Sequence, residues 1–132
     1  MLHSYSMEGF ELRLEGPVLE MRTEGERTTG LVHDTSPAFG SFFDRHDIRG
    51  VIVDLRSAEY QFNDRQWEEG AHAFARRCRA LPLAVIDRQD QARRTQRLLE
   101  LHTGMGGQSE SFRSRKKARN WIRQSIDAAP VS

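Results

Sequence analysis

The chain has 132 residues and a mass of 15.2 kDa, which suits one hydrophobic core and is short for two ordinary domains. Its mean hydropathy is -0.69, and its apolar runs are far shorter than the roughly 18 to 20 residues of a membrane span. The single cysteine, Cys78, excludes an internal disulfide. We therefore expect a soluble, cytoplasmic protein with one domain over residues 1–132, a core at about 8–126 and short flexible termini.

The net charge of +1 hides an uneven distribution of charged residues. Residues 1–69 contain 14 acidic and 7 basic side chains, whereas residues 70–132 contain 5 acidic and 13 basic ones. A basic half can bind nucleic acid, but these bases fall on helix faces without aromatic residues between them. We therefore expect no nucleic-acid binding, and peripheral contact with an anionic membrane surface is kept as an option.

The first predicted elements are two strands. Apolar and polar residues alternate over residues 10–14, and the alternation resumes over residues 19–23 after the turn pair Gly16-Pro17. This pattern predicts an antiparallel hairpin with one solvated face. The polar segment 24–34 does not predict a defined path.

A short helix is predicted in the segment "TSPAFGSFFDRHD". Ser36 is suited to cap it and Pro37 to occupy its first position. Phe39, Phe42 and Phe43 follow at helical spacing, so this helix should bury three aromatic rings.

Two apolar, β-branched runs, "VIVDL" at 51–55 and "LAVI" at 83–86, are typical of parallel strands covered on both faces. Between them, apolar residues recur at helical spacing over about residues 64–80. Asn63 and Gln66 form a capping-box signature at the start of that helix. The pattern predicts a right-handed crossover between neighbouring parallel strands.

The remaining pattern predicts a third helix that ends near Gly104, a short strand at 110–112 and a fourth helix containing Ala118 and Trp121. The resulting fold class is α/β. It has a mixed sheet of about five strands, made of the N-terminal hairpin plus parallel strands, and about four flanking helices.

The chain resembles the SpoIIAA-like branch of the STAS-like superfamily, which includes anti-sigma-factor antagonists and the STAS domains of sulfate transporters. Three segments carry the resemblance: "GVIVDLR" at 50–56, "LAVI" at 83–86 and "SFRSRKKARNWI" at 111–122. The resemblance implies a SpoIIAA/STAS-like sheet flanked by helices that binds partner proteins.

Phosphorylated members of that family carry a serine where a helix starts after an Asp-Ser-Ser-Gly-like turn. The matching segment here is "FNDRQW" at 62–67, which contains no hydroxyl group and no glycine. Asp64 already places a negative charge near that position. The resemblance therefore implies a module without the phosphorylatable serine, and only Ser57 and Tyr60 remain as nearby candidates for modification.

Our first functional hypothesis is a non-enzymatic regulatory or protein-interaction module whose partner is another protein. The predicted partner-binding residues are Arg56, Ser57, Tyr60, Asn63, Asp64, Arg65 and Glu68. A homodimer is a further interpretation, because two-fold dimers are the commonest oligomers. The alternative is a small-ligand or lipid-binding protein, since the fold is also similar to CRAL-TRIO lipid-transfer domains. That alternative predicts an apolar cavity of several hundred cubic ångströms between helices and sheet.

Asp54 and Asp87 are the acidic candidates for a ligand crevice, because each follows a predicted parallel strand. The competing interpretation is that each carboxylate caps a loop or pairs with Arg56 or Arg88. The histidines are scattered without metal-binding spacing, and Cys78 falls on a buried stripe. We therefore predict no catalytic, cofactor or metal site.

Overall fold

The computed structural model describes residues 2–7 and 9–128, with the side chains of residues 2 and 29–36 outside that description. The expected flexible C-terminus also lies outside it. Within the described residues the chain is an α/β protein with one mixed sheet and four α-helices. The elements are β1 (Leu2–Met7), β2 (Phe10–Glu15), β3 (Val18–Arg27), α1 (Thr29–Arg45), β4 (Gly50–Tyr60), α2 (Asp64–Arg77), β5 (Leu83–Ile86), α3 (Ala92–Gly104), β6 (Ser109–Phe112) and α4 (Arg115–Ala128).

The sheet keeps the order of the sequence, β1-β2-β3-β4-β5-β6. β2 is antiparallel to both of its neighbours, β1 and β3, and β3 to β6 are parallel. β4 and β5 are parallel neighbours, with Val51 opposite Leu83 and Asp54 opposite Ile86, so the central prediction is confirmed. Because the order of the described strands never reverses, they offer no topological switch point at which a crevice would open.

Side-chain alternation along β4 divides the core into two layers. Val51, Val53 and Leu55 pack in the cluster that contains the apolar faces of α1, α2 and α3. Ile52 points to the opposite face and packs in a second cluster with Ile122 of α4. Right-handed crossovers place α1, α2 and α3 on one face, whereas α4 follows the last strand and is free to cover the other.

The N-terminal half departs from the sequence prediction at three points. β1 is an additional strand, so the sheet has six strands instead of about five. β3 continues to Arg27, into the segment for which the sequence predicted no defined path, and β4 continues to Tyr60, beyond the predicted strand at 51–55. The two strands stay paired beyond a register shift that sets Arg22 opposite Asp54 and Glu24 opposite Ser57. Pairing of strands so far apart in sequence has no local signal.

The predicted start of the first helix is also wrong. α1 begins at Thr29, so Pro37 lies inside the helix instead of at its first position, and the expected Ser36 cap falls on a side chain outside the described set. The aromatic stripe is confirmed, although only Phe39 is fully buried: Phe42 and Phe43 are half-buried, and the ring centroids of Phe39 and Phe43 lie 5.0 Å apart. The local capping rule therefore located the helix but not its first turn.

Candidate functional site

A cavity of about 310 Å³ lies between the sheet and helices α1 and α2. Its sheet wall includes Phe10, Met21 and Val53. Strand alternation places these residues on the face that α1 to α3 cover. The cavity has the position and size range that the resemblance to ligand-binding folds implied.

Aromatic rings form the helical walls of the cavity. Phe39 of α1 stacks on Phe74 of α2 with ring centroids 5.3 Å apart. Trp67, near the start of α2, meets Tyr60 edge to face at 5.4 Å. These residues belong to the stripes predicted for the two helices, with the exception of Tyr60. The capping box that starts α2 is confirmed, since Asn63 Oδ1 accepts from the Gln66 backbone N–H at 2.8 Å, and this cap sets where the helix and Trp67 begin.

The rim of the cavity is formed by α2 residues at positions i, i+3 and i+7. Gly70, Ala73 and Arg77 are all exposed and all line the cavity. The Arg77 guanidinium lies 5.7 Å from the ring centroid of Phe43 on α1. Gly40 leaves room for it, because a Cβ there would lie 2.6 Å from Arg77 Nη2. Small side chains on α2 thus keep the mouth open.

Polar groups are concentrated where the ends of β3 and β4 meet. Thr23 Oγ1 and Tyr60 Oη lie 3.1 Å apart, and Arg27 is paired in register with Tyr60. Burial raises the pKa of Tyr60 above 10, while the Thr23 hydrogen bond and the charge of Arg27 partly oppose that shift. Trp67 Nε1 is a buried donor without an acceptor among the described residues. The cavity therefore combines an apolar body with one polar end.

The predicted partner-binding residues are largely engaged within the chain. Arg56 donates from Nε and Nη2 to the two carboxylate oxygens of Asp54 at 3.0 and 2.9 Å. Tyr60 lines the cavity, whereas the sequence placed it in a surface patch. The register shift between Asp54 and Ser57 inserts one extra residue in β4, which reverses its alternation and places Tyr60 on the same face as Val53. Ser57 is exposed on the same strand.

The helical part of that predicted surface contacts α3 or its own helix. Glu68 accepts from Arg97 Nε at 2.8 Å, which lowers the pKa of Glu68. Asp64 lies 3.6 Å from Arg94, although the Asp64 side chain is 81% exposed. Arg65 pairs with Glu69 of α2 at 3.2 Å. Asn63, as described above, is the cap of α2. These pairs join α2 to α3 more than they present a docking site.

The two candidate carboxylates are not brought together in one crevice. Asp54 follows Ile52 on the α4 face and pairs with Arg56, as the competing interpretation stated. Asp87 is buried and lies 2.9 Å from Arg113, not from Arg88 as that interpretation allowed. Asp87 Oδ1 has no aligned hydrogen bond in the described part of the chain. Each carboxylate thus forms an ion pair with a different arginine.

The β5–α3 connection closes the open edge of β4. Beyond the end of β5, carbonyl groups of β4 accept hydrogen bonds from side chains of this connection. Gln91 Nε2 donates to the Leu55 carbonyl at 2.7 Å, and Arg88 donates to the carbonyl of Arg56 and, at 3.1 Å, to Glu59. Arg88 therefore has a structural role: it holds the end of β4, which together with the end of β3 forms a two-stranded ribbon beside the cavity.

Cys78 and His102 are buried in the core, where they contact each other. His102 Nε2 donates to the Cys78 carbonyl at 2.9 Å, and both residues are completely buried. Desolvation raises the pKa of the Cys78 thiol to about 12. Across the described ranges, no three His, Cys, Asp or Glu side chains are grouped as metal ligands. No helix in the described part of the chain has the length and apolar content to cross a bilayer.

Several arginines of the basic half are paired with acidic residues of the other half. Arg115 contacts Glu20 at 3.0 Å and Arg119 contacts Glu15 at 2.6 Å. Arg94 and Arg97 likewise pair with acidic residues of α2. The two halves of unlike charge are therefore joined by ion pairs between their helices and strands. Those four side chains thus have partners within the chain.

The mixed sheet with three crossover helices on one face and a fourth on the other defines a SpoIIAA-like α/β fold. The chain is similar to a crystal structure of an uncharacterized protein of the DUF3478 family with a SpoIIAA-like fold, from Shewanella loihica PV-4. The TM-score is 0.59, the identity is 11%, and 92% of each chain is covered. No protein-family model and no curated protein matches the chain. The resemblance is thereby confirmed for the fold, and identity this low carries no activity.

Proposed function

We propose that this protein binds a small apolar or amphipathic ligand in the cavity between the sheet and helices α1 and α2. The observation that carries the proposal is the cavity itself, about 310 Å³ in volume and walled mainly by aromatic and aliphatic side chains. Ligand sites commonly occupy about 300 to 1,000 Å³ and combine an apolar lining with a few polar groups. At the packing density of a protein interior, this volume accommodates on the order of a dozen non-hydrogen atoms.

The polar end of the cavity favours a ligand with one oxygen-bearing group and an apolar body. Three groups of the cavity wall can donate hydrogen bonds to an oxygen atom of the ligand: the hydroxyl groups of Thr23 and Tyr60 and the buried Trp67 N–H. The nearby Arg27 adds positive charge to the same wall. A medium-chain fatty acid or alcohol matches this arrangement in size and polarity, which is the lipid-binding alternative in a size-limited form.

The proposed activity is binding without chemistry. Asp54, the carboxylate that follows β4, faces the opposite layer, and Asp87 is paired with Arg113. The ligand would enter between α1 and α2 over Gly70 and Ala73, because these are the exposed small residues on the rim.

Trp67 fluorescence provides a direct test. The second tryptophan, Trp121, packs on Phe112 in the other layer, so a Trp121→Phe background leaves Trp67 as the single reporter. Decanoic acid and decanol, kept below the concentrations at which they aggregate, should each give a saturable change.

A matched pair of glycine variants separates the mouth of the cavity from general effects. A side chain added at Gly70 of α2 or at Gly104 of α3 meets no atom within 4 Å, but only Gly70 lies on the rim. Gly70→Leu should weaken binding about tenfold or more, whereas Gly104→Leu should bind like the parent. Absence of a saturable signal, together with native mass spectra free of any bound small molecule, would contradict the proposal.

Protein binding is the second candidate function, and one observation favours it. The β3–β4 ribbon projects past the end of β5, with Ser57 and Glu59 exposed on it. The adjoining start of α2 exposes Asp64 and Arg65, whose side chains are 81% and 87% accessible.

Affinity capture from native lysate tests this second candidate. A variant with Asp64→Arg and Glu68→Arg should lose an identified partner, while a charge-matched control with Glu110→Arg and Asp127→Arg, away from the ribbon, should keep it. Equal recovery of the partner by the parent protein and by both variants would exclude this surface as the binding site.

A further inference from the structure

β1 is an edge strand without the features that normally protect an edge. It pairs with β2 on one side, and among the described strands none covers its other side. Its six residues include no Asp, Glu, Lys, Arg or Pro. The opposite edge strand, β6, has four residues, carries Glu110 and is followed by Arg113. Natural sheets block unwanted pairing with short strands, charges or proline, so β6 is protected and β1 is not.

The exposed apolar side chains lie on the same strand. In the described part of the chain, the exposed large hydrophobic side chains are Tyr5, which is 37% accessible, and Met7, which is 39% accessible. Tyr5 is paired with Leu12, so it lies on the sheet face that α1 covers, and its ring is 6.5 Å from that of Phe42. Open backbone groups and apolar surface therefore coincide at one edge.

Hairpin geometry identifies which backbone groups face outward. Residues 8 and 9 connect Met7 to Phe10, and the pair that closes a two-residue connection is hydrogen-bonded. Alternate residues then point their N–H and C=O groups the other way. Ser4 and Ser6 consequently present theirs to the open edge.

From these observations we infer that β1 binds a second copy of this chain, antiparallel to β1 of the partner subunit and related to it by a two-fold axis at Tyr5. The local sequence Ser4-Tyr5-Ser6 is symmetric about that axis, so Ser4 lies opposite Ser6 of the partner subunit. The outward N–H and C=O groups of both serines then pair in the hydrogen-bonded register. The two six-stranded sheets become one continuous sheet.

Charge complementarity selects this register. On β2, Arg13 lies beside Ser4 and Glu11 lies beside Ser6. An axis at Tyr5 aligns Arg13 with Glu11 of the partner subunit across two small serines, three strand spacings or about 14 Å between backbones. Long side chains extending towards each other shorten that gap. An axis at Ser4 would align Arg13 with a second Arg13, and an axis at Ser6 would align two Glu11 side chains, so both alternatives set like charges in line.

The apolar face of the same junction supports the second copy as occupant. With the axis at Tyr5, the two Tyr5 rings lie side by side and Met7 lies across from His3 of the partner subunit. The exposed apolar surface of each chain is thereby covered by the same surface of the other, as a two-fold interface requires.

Sedimentation velocity over a concentration series tests the inference with two double variants at the same exposed positions, 4 and 6. Ser4→Lys with Ser6→Lys places lysine opposite lysine twice across the axis and should weaken dimerisation at least tenfold, on the order of 1.4 kcal/mol. Ser4→Glu with Ser6→Lys uses the same positions but sets opposite charges across the axis, and it should dimerise at least as tightly as the parent.

Two results would overturn the inference. One is a parent protein that stays monomeric up to on the order of 1 mM, a concentration at which even weak pairing is populated. The other is a dimer that both double variants leave unchanged, which would assign it to another surface. Ser4 and Ser6 do not line the cavity, so decanoic acid binding should be unaffected by either variant, and this inference and the proposed function fail independently.

Discussion

Gly107 lies in the segment "GMGG" at 104–107, the elbow between α3 and β6. A single methyl group added at this position should be strongly destabilising. A Cβ at Gly107 would lie 2.2 Å from His102 Cε1 and 2.5 Å from Nδ1. The His102 ring is completely buried, and its Nε2 donates to the Cys78 carbonyl at 2.9 Å. The ring cannot move away without stretching that hydrogen bond, so Gly107→Ala forces a choice between overlap and a lost buried contact.

The cost follows from these two terms. Overpacking a filled core costs about 1 to 3 kcal/mol, and a buried hydrogen-bonding group left without its partner costs about 1 to 3 kcal/mol. Because the protein adopts the less costly of the two, Gly107→Ala should lower the free energy of unfolding by roughly 1 to 3 kcal/mol, less a few tenths recovered from the reduced entropy of the unfolded chain. That is a large share of the roughly 5 to 15 kcal/mol that holds a typical domain together.

Chemical denaturation followed by circular dichroism measures this effect. Gly104→Ala is the control in the same elbow, because an added Cβ there meets no atom within 4 Å, and it should be neutral or stabilise slightly. His102→Ala removes the ring, so adding Gly107→Ala to that variant should cost far less than it does in the parent. If Gly107→Ala and Gly104→Ala differ by less than about 0.5 kcal/mol, the packing of His102 against the elbow is refuted.

Three further predictions concern single side chains. Because burial raises the Cys78 thiol pKa to about 12, a disulfide reagent at pH 8 should label the folded protein only at the rate of unfolding, and rapid labelling without denaturant would contradict this. The folded-state pKa of Tyr60 is raised, so its contribution to stability is complete below about pH 10 and should fall as pH rises through the folded pKa; Tyr60→Phe should lack that alkaline loss in denaturation measured against pH. Asn63→Ala removes the α2 cap and should cost about 1 kcal/mol, measured by the same denaturation, with Gln61→Ala as an exposed control that should cost little.

Local pattern alone was sufficient for the elements that carry their own signal. The β-branched runs at 51–55 and 83–86 predicted two parallel neighbours, because a strand covered on both faces cannot alternate. The helical spacing and the Asn63–Gln66 cap predicted α2, since both involve residues within one or two turns of each other. The cavity was anticipated only through the resemblance to ligand-binding folds, not from any residue pattern.

Tertiary structure decided which side chains meet across long separations in the chain. β1 was missed because "LHSYSM" has little periodicity, and it becomes a strand by pairing with β2. Tyr60 was assigned to the surface because the β4 extension depends on pairing with β3, and that pairing turns the ring into the cavity. Asp87 selected Arg113 over the adjacent Arg88, because β5 and β6 end side by side. Sequence by itself determines periodic burial and local caps, which depend on near neighbours, whereas strand pairing, charge partners and the space left between packed layers depend on distant ones.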